Sequence, residues 1–214
     1  SNKLSGFSSF SSAMGSNSEV YTTVTNLMKS PNRRNIFKGH QLMFNLLEPT
    51  YFIENYLTDN AGELQDLTLF PLMKQIYNHV PKRLLLKCSR KTLKSTFLSN
   101  FITLNMVRWN HYNLLYVGPQ ESSVNYFSSN YVNTRFDSYK LKRLFVEGPG
   151  KWDVMEKKLR DTGSTCLFRY CSDDATRLRG PATDHNLYDE VQDIDFDQLP
   201  IIKETMALSP YSRE

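Results

Sequence analysis

Apolar residues recur at helical spacing through the first part of the chain. Residues 19–47 carry two such patterns, split by residues 31–34, and these patterns predict two short helices. Residues 51–57 and 71–79 repeat the spacing, and Pro71 stands where a first helical turn accepts proline. This part of the chain is therefore predicted to be helical.

After Pro81 the pattern changes to short apolar runs that alternate with helical spacing. Residues 83–88 and 113–117 have the length and composition of strands, and helical patterns follow at 94–108 and about 122–136. Strands alternating with helices are typical of a parallel sheet that is covered on its faces. The sequence predicts an α/β fold with a largely parallel sheet flanked by helices.

Further strands are predicted nearer the end of the sequence. The runs 154–159 and 165–170 lie on either side of Gly163 and predict a pair of strands. An apolar strand begins at Asn186 and ends in Asp189-Glu190. A helix is then predicted from about residue 197 to residue 207.

The composition is that of a globular chain. Hydrophobic residues make up 40% of the 214 residues, and no apolar run approaches the roughly 20 residues that span a bilayer. Residues 1–18 contain eight serines and two glycines, without the basic and apolar regions of a signal peptide. We expect them to form a flexible tail.

Cysteine content and net charge narrow the class of protein further. Cys88, Cys166 and Cys171 are too few and too unevenly spaced for a disulfide framework, which favours a reducing compartment. The four histidines are scattered singly, so a structural zinc site is not expected. A net charge of +4 permits contact with a polyanion but does not indicate a dedicated nucleic-acid-binding module.

The turn between the first predicted strand and its helix carries candidate phosphate chemistry. Lys94-Ser95 occupy the last two positions of the phosphate-binding loop G-x-x-x-x-G-K-[ST]. In such a loop the helix N-terminus faces an anion, the lysine reaches the terminal phosphates, and the hydroxyl binds Mg²⁺. Cys88 and Leu93 replace the two glycines, so an ordinary Lys-Ser pair at a solvated helix start is the alternative interpretation.

A second candidate is the acidic pair that closes the last predicted strand. Asp189 and Glu190 follow Lys94 at about the distance expected of a Walker B pair in an ATPase of this size. The aspartate of such a pair holds Mg²⁺, and the glutamate orients and polarises the attacking water. A solvated acidic turn is the alternative interpretation here.

Taken together, these residues resemble the large terminase subunits, the ATPases that drive DNA into viral capsids in tailed bacteriophages and herpesviruses. The resemblance covers about residues 48–209. Four segments carry it in order: residues 51–56 (YFIENY), like the family's F-x-E-N-Y segment; Leu69-Phe70-Pro71 with Gln75, like its adenine motif; residues 89–96 (SRKTLKST), like its variant Walker A loop; and residues 178–180 (LRG) before Asp189-Glu190, like its R-G…D-E block.

The resemblance implies specific roles. Lys94 and Ser95 would bind the phosphates and Mg²⁺, Asp189 would bind the metal, and Glu190 would be the catalytic carboxylate. Arg90 would contact the γ-phosphate, and Arg179 would reach a neighbouring subunit's nucleotide as an arginine finger. The implied ATP-binding residues are Gln75, Ser89, Arg90, Lys91, Thr92, Leu93, Lys94, Ser95 and Thr96. Met73 stands where the family's glutamine normally lies.

The fold and domains implied are those of a RecA-like (ASCE) P-loop ATPase. Residues 1–18 would be the tail, 19–80 a helical N-terminal segment with the adenine-side elements, and 81–214 the ATPase core. The core would be cut before the family's coupling motif and nuclease domain, so no nuclease activity is expected in this fragment.

The function implied is ATP hydrolysis, with ATP and Mg²⁺ as cofactors, that drives double-stranded DNA into a procapsid. Its partners would be double-stranded DNA, the portal protein of the procapsid and the small terminase subunit. The chain would be a monomer in isolation and a homo-oligomeric ring when assembled. It would act in the host cell cytoplasm, transiently at the procapsid portal vertex, and without a membrane.

Two alternatives remain open at this point. A superfamily 2 helicase-like ATPase shares the sheet and the Asp-Glu pair, although Asp189-Glu190-Val191-Gln192 lacks the last residue of the helicase D-E-x-[HD] box. A catalytically degenerate P-loop module that binds DNA or portal would explain Cys88 and Leu93.

Overall fold

The N-terminal helical segment forms four helices. The computed structural model describes residues 19–81, 83–88, 93–171, 182–207 and 209, so the predicted tail at 1–18 lies outside the described residues. The helices are α1 (Glu19–Met28), α2 (Arg33–Leu46), α3 (Pro49–Tyr56) and α4 (Pro71–Asn78). All four predicted helices are confirmed.

Local sequence explains where these helices begin. The Asn32 side chain accepts a hydrogen bond from the Arg34 amide at 2.9 Å, which caps α2. Pro49 and Pro71 stand in the first turns of α3 and α4, where the amide that proline lacks has no partner within the helix. Pro49 therefore starts a helix as well as separating it from the one before.

The rest of the chain builds a five-stranded sheet and its covering helices. Helix α5 (Lys94–Arg108) leads to β1 (Asn113–Gly118), and both elements match the sequence prediction. The predicted helix at 122–136 is a continuous one with a π-helical middle: α6 (Glu121–Tyr126), a π-helical turn (Phe127–Val132) and α7 (Asn133–Phe136). A short helix, α8 (Tyr139–Lys142), follows.

The sheet is mixed, which corrects the prediction of a largely parallel one. Its strand order is β2-β3-β4-β1-β5, with β2 (Pro149–Trp152), β3 (Glu156–Leu159), β4 (Thr165–Tyr170) and β5 (His185–Tyr188). β1 pairs in parallel with β4 and β5, whereas β2, β3 and β4 pair antiparallel. The short connection between β3 and β4 imposes this arrangement, because strands joined by a tight turn run antiparallel.

Gly163 is required in that turn. Its φ is +72°, and a Cβ on it would lie 2.6 Å from His111 Nδ1. The prediction of a strand pair on either side of Gly163 is confirmed. The edge strand β2 (Pro149–Trp152) is an additional strand that the sequence pattern did not predict.

The prediction of a strand at residues 83–88 is wrong. Within the described part of the chain these residues join no strand of the sheet. Leu84, Leu85 and Leu86 line an apolar cavity of about 170 Å³, which residues of β5 also line. The segment keeps the alternation of a strand, with Leu84 and Leu86 half-buried and Leu85 80% exposed.

The helix predicted at about 197–207 is shorter and irregular. A 3₁₀ turn (Phe196–Gln198), α9 (Leu199–Lys203) and a second 3₁₀ turn (Glu204–Met206) replace one continuous helix. Pro200 supplies no amide, which suits the first turn of α9 and no later position. None of the helices in the described ranges is long and apolar enough to cross a membrane.

Two apolar clusters cover the two faces of the sheet. Leu114 and Tyr116 of β1 belong to the larger cluster, together with residues of α3 and α5. Leu115 and Val117 face the smaller cluster, which includes Ile194 and Ile202. This alternation follows from the two-residue period of a strand and places α5 and the N-terminal helices on one face.

A buried amide pair fixes the position of α5. Gln65 and Asn100 exchange two hydrogen bonds of 2.8 and 2.7 Å, and Asn100 also donates to the Tyr77 hydroxyl at 3.0 Å. Asn100 is fully buried and Gln65 nearly so. Since α5 carries the candidate phosphate-binding residues at its first turn, this pair ties them to the helical segment.

We expect Gln65→Leu and Asn100→Leu each to lower the free energy of unfolding by about 1–3 kcal/mol, because each leaves a buried amide without its partner. The double variant is expected to lose less than the sum, since neither amide then remains. Urea unfolding measures all three values. The exposed pair Gln41 and Asn110 is the control, for which we expect additivity; additive losses at Gln65 and Asn100 would contradict the argument.

Candidate active site

Helix α5 begins at the edge of the sheet where β1 and β5 end. Leu93 is its N-cap residue, with φ 64° and ψ 22°, the left-handed conformation that a glycine ordinarily supplies. The Leu93 side chain makes no capping hydrogen bond. The Leu93 side chain therefore accepts no hydrogen bond from the backbone amides in the first turn of α5. Such amides at a helix N-terminus can donate hydrogen bonds to an anion.

The two candidate motifs meet at this edge. Lys94 Nζ lies 3.5 Å from Asp189 Oδ1, and both side chains are largely shielded, with 32% and 17% of their surfaces exposed. Asp189 directly follows β5, and its amide donates to the Val117 carbonyl at 2.9 Å. The turn before α5 and the end of β5 thus form one site.

The Asp189 carboxylate is contacted from several sides. Oδ2 accepts a hydrogen bond of 2.9 Å from the Tyr116 hydroxyl, and Oδ1 accepts one of 3.1 Å from the Glu190 amide. Burial, then the neighbouring Asp189 charge, raises the pKa of Tyr116 well above its ordinary value. Tyr116 therefore stays protonated and acts as the donor.

Glu190 lies beside this carboxylate in a strained turn. The φ of Glu190 is 49°, and the residue is exposed to solvent. Ser95, Asp189 and Glu190 line a polar cavity of about 370 Å³, which Tyr116 and Gln120 also line. A hydroxyl and two carboxylates consequently face one space large enough for phosphate and water.

The donor set fits a magnesium ion bound together with phosphate. The Ser95 hydroxyl and the Asp189 carboxylate are hard oxygen ligands, which Mg²⁺ prefers. In the described ranges no group of three or more histidine, cysteine or acidic side chains could hold a metal by itself. Phosphate oxygens and water would have to complete the coordination, as is usual for Mg²⁺ at nucleotide sites.

Two other residues predicted for the site, Gln75 and Thr96, line neither of the two cavities at the end of β5. Gln75 is exposed on α4 and lines neither cavity at the end of β5, while Met73 is buried in the larger apolar cluster. Thr96 follows Ser95 in α5 and also lines neither cavity. Ser89, Arg90, Lys91, Thr92 and Arg179 lie outside the described residues.

Tyr116 was missed by sequence reasoning. It stands in the middle of an apolar strand, where an aromatic residue is ordinary, and its contact with Asp189 spans 73 positions. The strand register could have identified it. If β1 and β5 pair in parallel, Tyr116 lies beside Leu187, and Asp189 is two residues farther along on the same face of the sheet. Cys166 and Cys171 are buried, and neither is part of a disulfide.

The fold is similar to that of the HK97 bacteriophage large terminase, as seen in its crystal structure. The TM-score is 0.63 at 13% sequence identity, over 77% of this chain and 36% of that one. The chain thus spans about a third of the length of that structure. No protein-family model matches the sequence, and no curated protein does. At this identity the likeness establishes the terminase-like mixed α/β fold.

The left-handed conformation of Leu93 makes a sharp stability prediction. We expect Leu93→Gly to be more stable than Leu93→Ala by about 0.5–1 kcal/mol, because both lose the leucine side chain but only alanine keeps the steric cost of positive φ. This reverses the usual order at helical positions, where alanine is favoured. Urea unfolding of the two variants is the measurement, and an alanine variant of equal or greater stability would contradict a left-handed Leu93.

Proposed function

We propose that this chain is the ATPase portion of a DNA-packaging motor of the large terminase type, with a RecA-like P-loop core. The observation that carries the proposal is the 3.5 Å contact between Lys94 Nζ and Asp189 Oδ1 at the edge where α5 begins and β5 ends. Two sequence motifs that are far apart in the chain meet there with the chemistry that phosphoryl transfer needs. The fold similarity to a large terminase supports the same proposal.

The first turn of α5 binds phosphate in this proposal. Its backbone amides and the positive end of the helix dipole attract the anion, and Lys94 adds a mobile positive charge. Lys94 is paired with Asp189, which limits the cost of shielding either charge from water. Lys94 changes partner when phosphate binds.

Ser95 and Asp189 would hold Mg²⁺, which would supply charge neutralisation at the phosphates. Glu190 then has the role of orienting and polarising the attacking water, from its place beside Asp189 in the polar cavity. Its exposure and its position beyond the strand end leave its carboxylate open to solvent and substrate.

The remaining parts of the proposal concern residues and partners beyond the described site. Arg90 contacts the γ-phosphate, and Arg179 supplies charge to a neighbouring subunit's nucleotide within a ring. Double-stranded DNA, the portal of a procapsid and a small terminase subunit are the proposed partners, in the host cytoplasm. Gln75 lines neither cavity. Adenine recognition by Gln75 therefore requires a movement of α4; otherwise a different residue contacts the adenine.

The first test is nucleotide binding. We expect isothermal calorimetry to show Mg²⁺-dependent ATP binding by the wild-type chain, and Lys94→Ala to weaken it by roughly tenfold or more, since a phosphate-binding charge is lost. Lys74→Ala is the matched control, because Lys74 is also half-shielded and paired with a carboxylate, Glu54, at 3.2 Å. Equal ATP affinity in the wild type and Lys94→Ala would overturn the site assignment.

The second test is hydrolysis. We expect Glu190→Gln to keep ATP binding and to lower phosphate release by about 10²-fold or more, because it removes the group that polarises water. Asp193→Asn is the control, as Asp193 is exposed nearby and lines neither cavity. Phosphate release is measured over a series of protein concentrations, since an arginine finger acting between subunits makes activity rise on assembly. Wild-type release by Glu190→Gln would contradict the proposed role. ATP binding without hydrolysis by the wild type, even at protein concentrations at which the chain assembles, would favour the degenerate module.

A further inference from the structure

We propose that Tyr116 is a positioning residue that fixes the Asp189 carboxylate through Oδ2 and so leaves Oδ1 for the metal when Lys94 moves to phosphate. This inference rests on the proposed function and adds to it a residue outside both nucleotide-binding motifs. The inference follows from the different partners of the two Asp189 oxygens. The rigid Tyr116 hydroxyl donates to Oδ2, whereas the flexible Lys94 side chain contacts Oδ1.

Tyr116 is rigidly held. It is 2% exposed in the middle of β1, and its ring stacks on Phe127 with the centroids 4.2 Å apart and the planes 7° apart. Phe168 lies against the same ring, with a centroid distance of 5.8 Å. The hydroxyl therefore has one available direction, toward the end of β5.

The parallel register places Asp189 in that direction. Tyr116 pairs with Leu187, and Asp189 is two residues farther along on the same face of the sheet. The hydroxyl donates to Oδ2 at 2.9 Å. This geometry comes from the backbone pairing of two strands, so it does not depend on a bound nucleotide.

The other oxygen has different partners. Lys94 Nζ approaches Oδ1 at 3.5 Å, and the Glu190 amide donates to it at 3.1 Å. Lysine carries its charge on a flexible four-carbon stem, whereas the ring of Tyr116 is clamped. When Lys94 turns toward phosphate, Oδ1 loses its cation and Oδ2 keeps its hydrogen bond.

A second interpretation is that the hydroxyl only satisfies a buried carboxylate. In that case its removal lowers stability but has no selective effect on the metal. The two interpretations differ in the Mg²⁺ dependence of ATP binding, which is a binding measurement and not an activity.

The experiment compares Tyr116→Phe with the wild-type chain by calorimetric ATP titration in Mg²⁺ and again in EDTA. Phenylalanine keeps the stack on Phe127 and loses the donor. We expect ATP affinity in Mg²⁺ to fall about three- to tenfold, as for loss of one well-placed hydrogen bond, with no change in EDTA. Tyr77→Phe is the control, because it removes another buried hydroxyl, bonded to Asn100 at 3.0 Å, and leaves the Mg²⁺ dependence unchanged.

The outcomes separate the two proposals. If ATP binding depends on Lys94 but Tyr116→Phe behaves as the wild type, or loses the same affinity in EDTA, the role of Tyr116 is overturned and the proposed function stands. If the wild-type chain and Lys94→Ala bind ATP equally, the proposed function fails, and the metal-orienting role fails with it. A selective loss in Mg²⁺, absent from Tyr77→Phe, supports the inference.

Discussion

The parallel pairing of β1 with β5 is the constraint on which the candidate site depends. Because the strands run the same way, Gly118 and Asp189 emerge at the same edge of the sheet, and α5 begins beside that edge. Ligand sites in open α/β sheets occur at the carboxyl ends of strands for this reason. An antiparallel β5 would place its acidic pair at the opposite edge, away from Lys94.

Backbone strain is concentrated around the same pair of charges. Of the three non-glycine residues with positive φ in the described ranges, Leu93 immediately precedes Lys94, and Glu190 immediately follows Asp189. Such conformations cost of order 1–3 kcal/mol each and persist where surrounding structure enforces them. Here the start of α5 and the end of β5 enforce them, because each residue turns the chain sharply at the point where its neighbour must face the site. The third, His111, lies against Gly163 in the turn at the far end of the sheet.

Local pattern predicted the elements well and their long-range arrangement less well. The predicted bounds of α5, residues 94–108, match the observed helix, although most of its residues are buried and its N-cap residue makes no capping hydrogen bond. Residues 83–88 have the apolar alternation of a strand. Alternation indicates which side chains are shielded from water, but it does not indicate whether a neighbouring strand is available for backbone pairing. The sheet was predicted as more parallel than it is, since the hairpin at Gly163 adds two antiparallel pairings. In the site, Lys94, Ser95, Asp189 and Glu190 could be found by motif, whereas Tyr116 depends on register.

The charges near the site explain why we expect a metal to strengthen the proposed nucleotide binding. Among the described residues that line the two cavities, Lys94 is the one lysine or arginine, and Asp189 and Glu190 supply two negative charges. Taken by themselves, these three residues would present a triphosphate with a net negative charge, and Coulomb repulsion at short separations is substantial in a partly shielded site. The helix dipole of α5 offsets only about half a charge. Under the proposed function, Mg²⁺ held by Asp189 would reverse this local balance, and the Tyr116 hydrogen bond would keep the Asp189 carboxylate in place when Lys94 moves to phosphate. This charge pattern implies that Mg²⁺ binds with the nucleotide or before it, because the acidic pair attracts the cation and repels a free triphosphate.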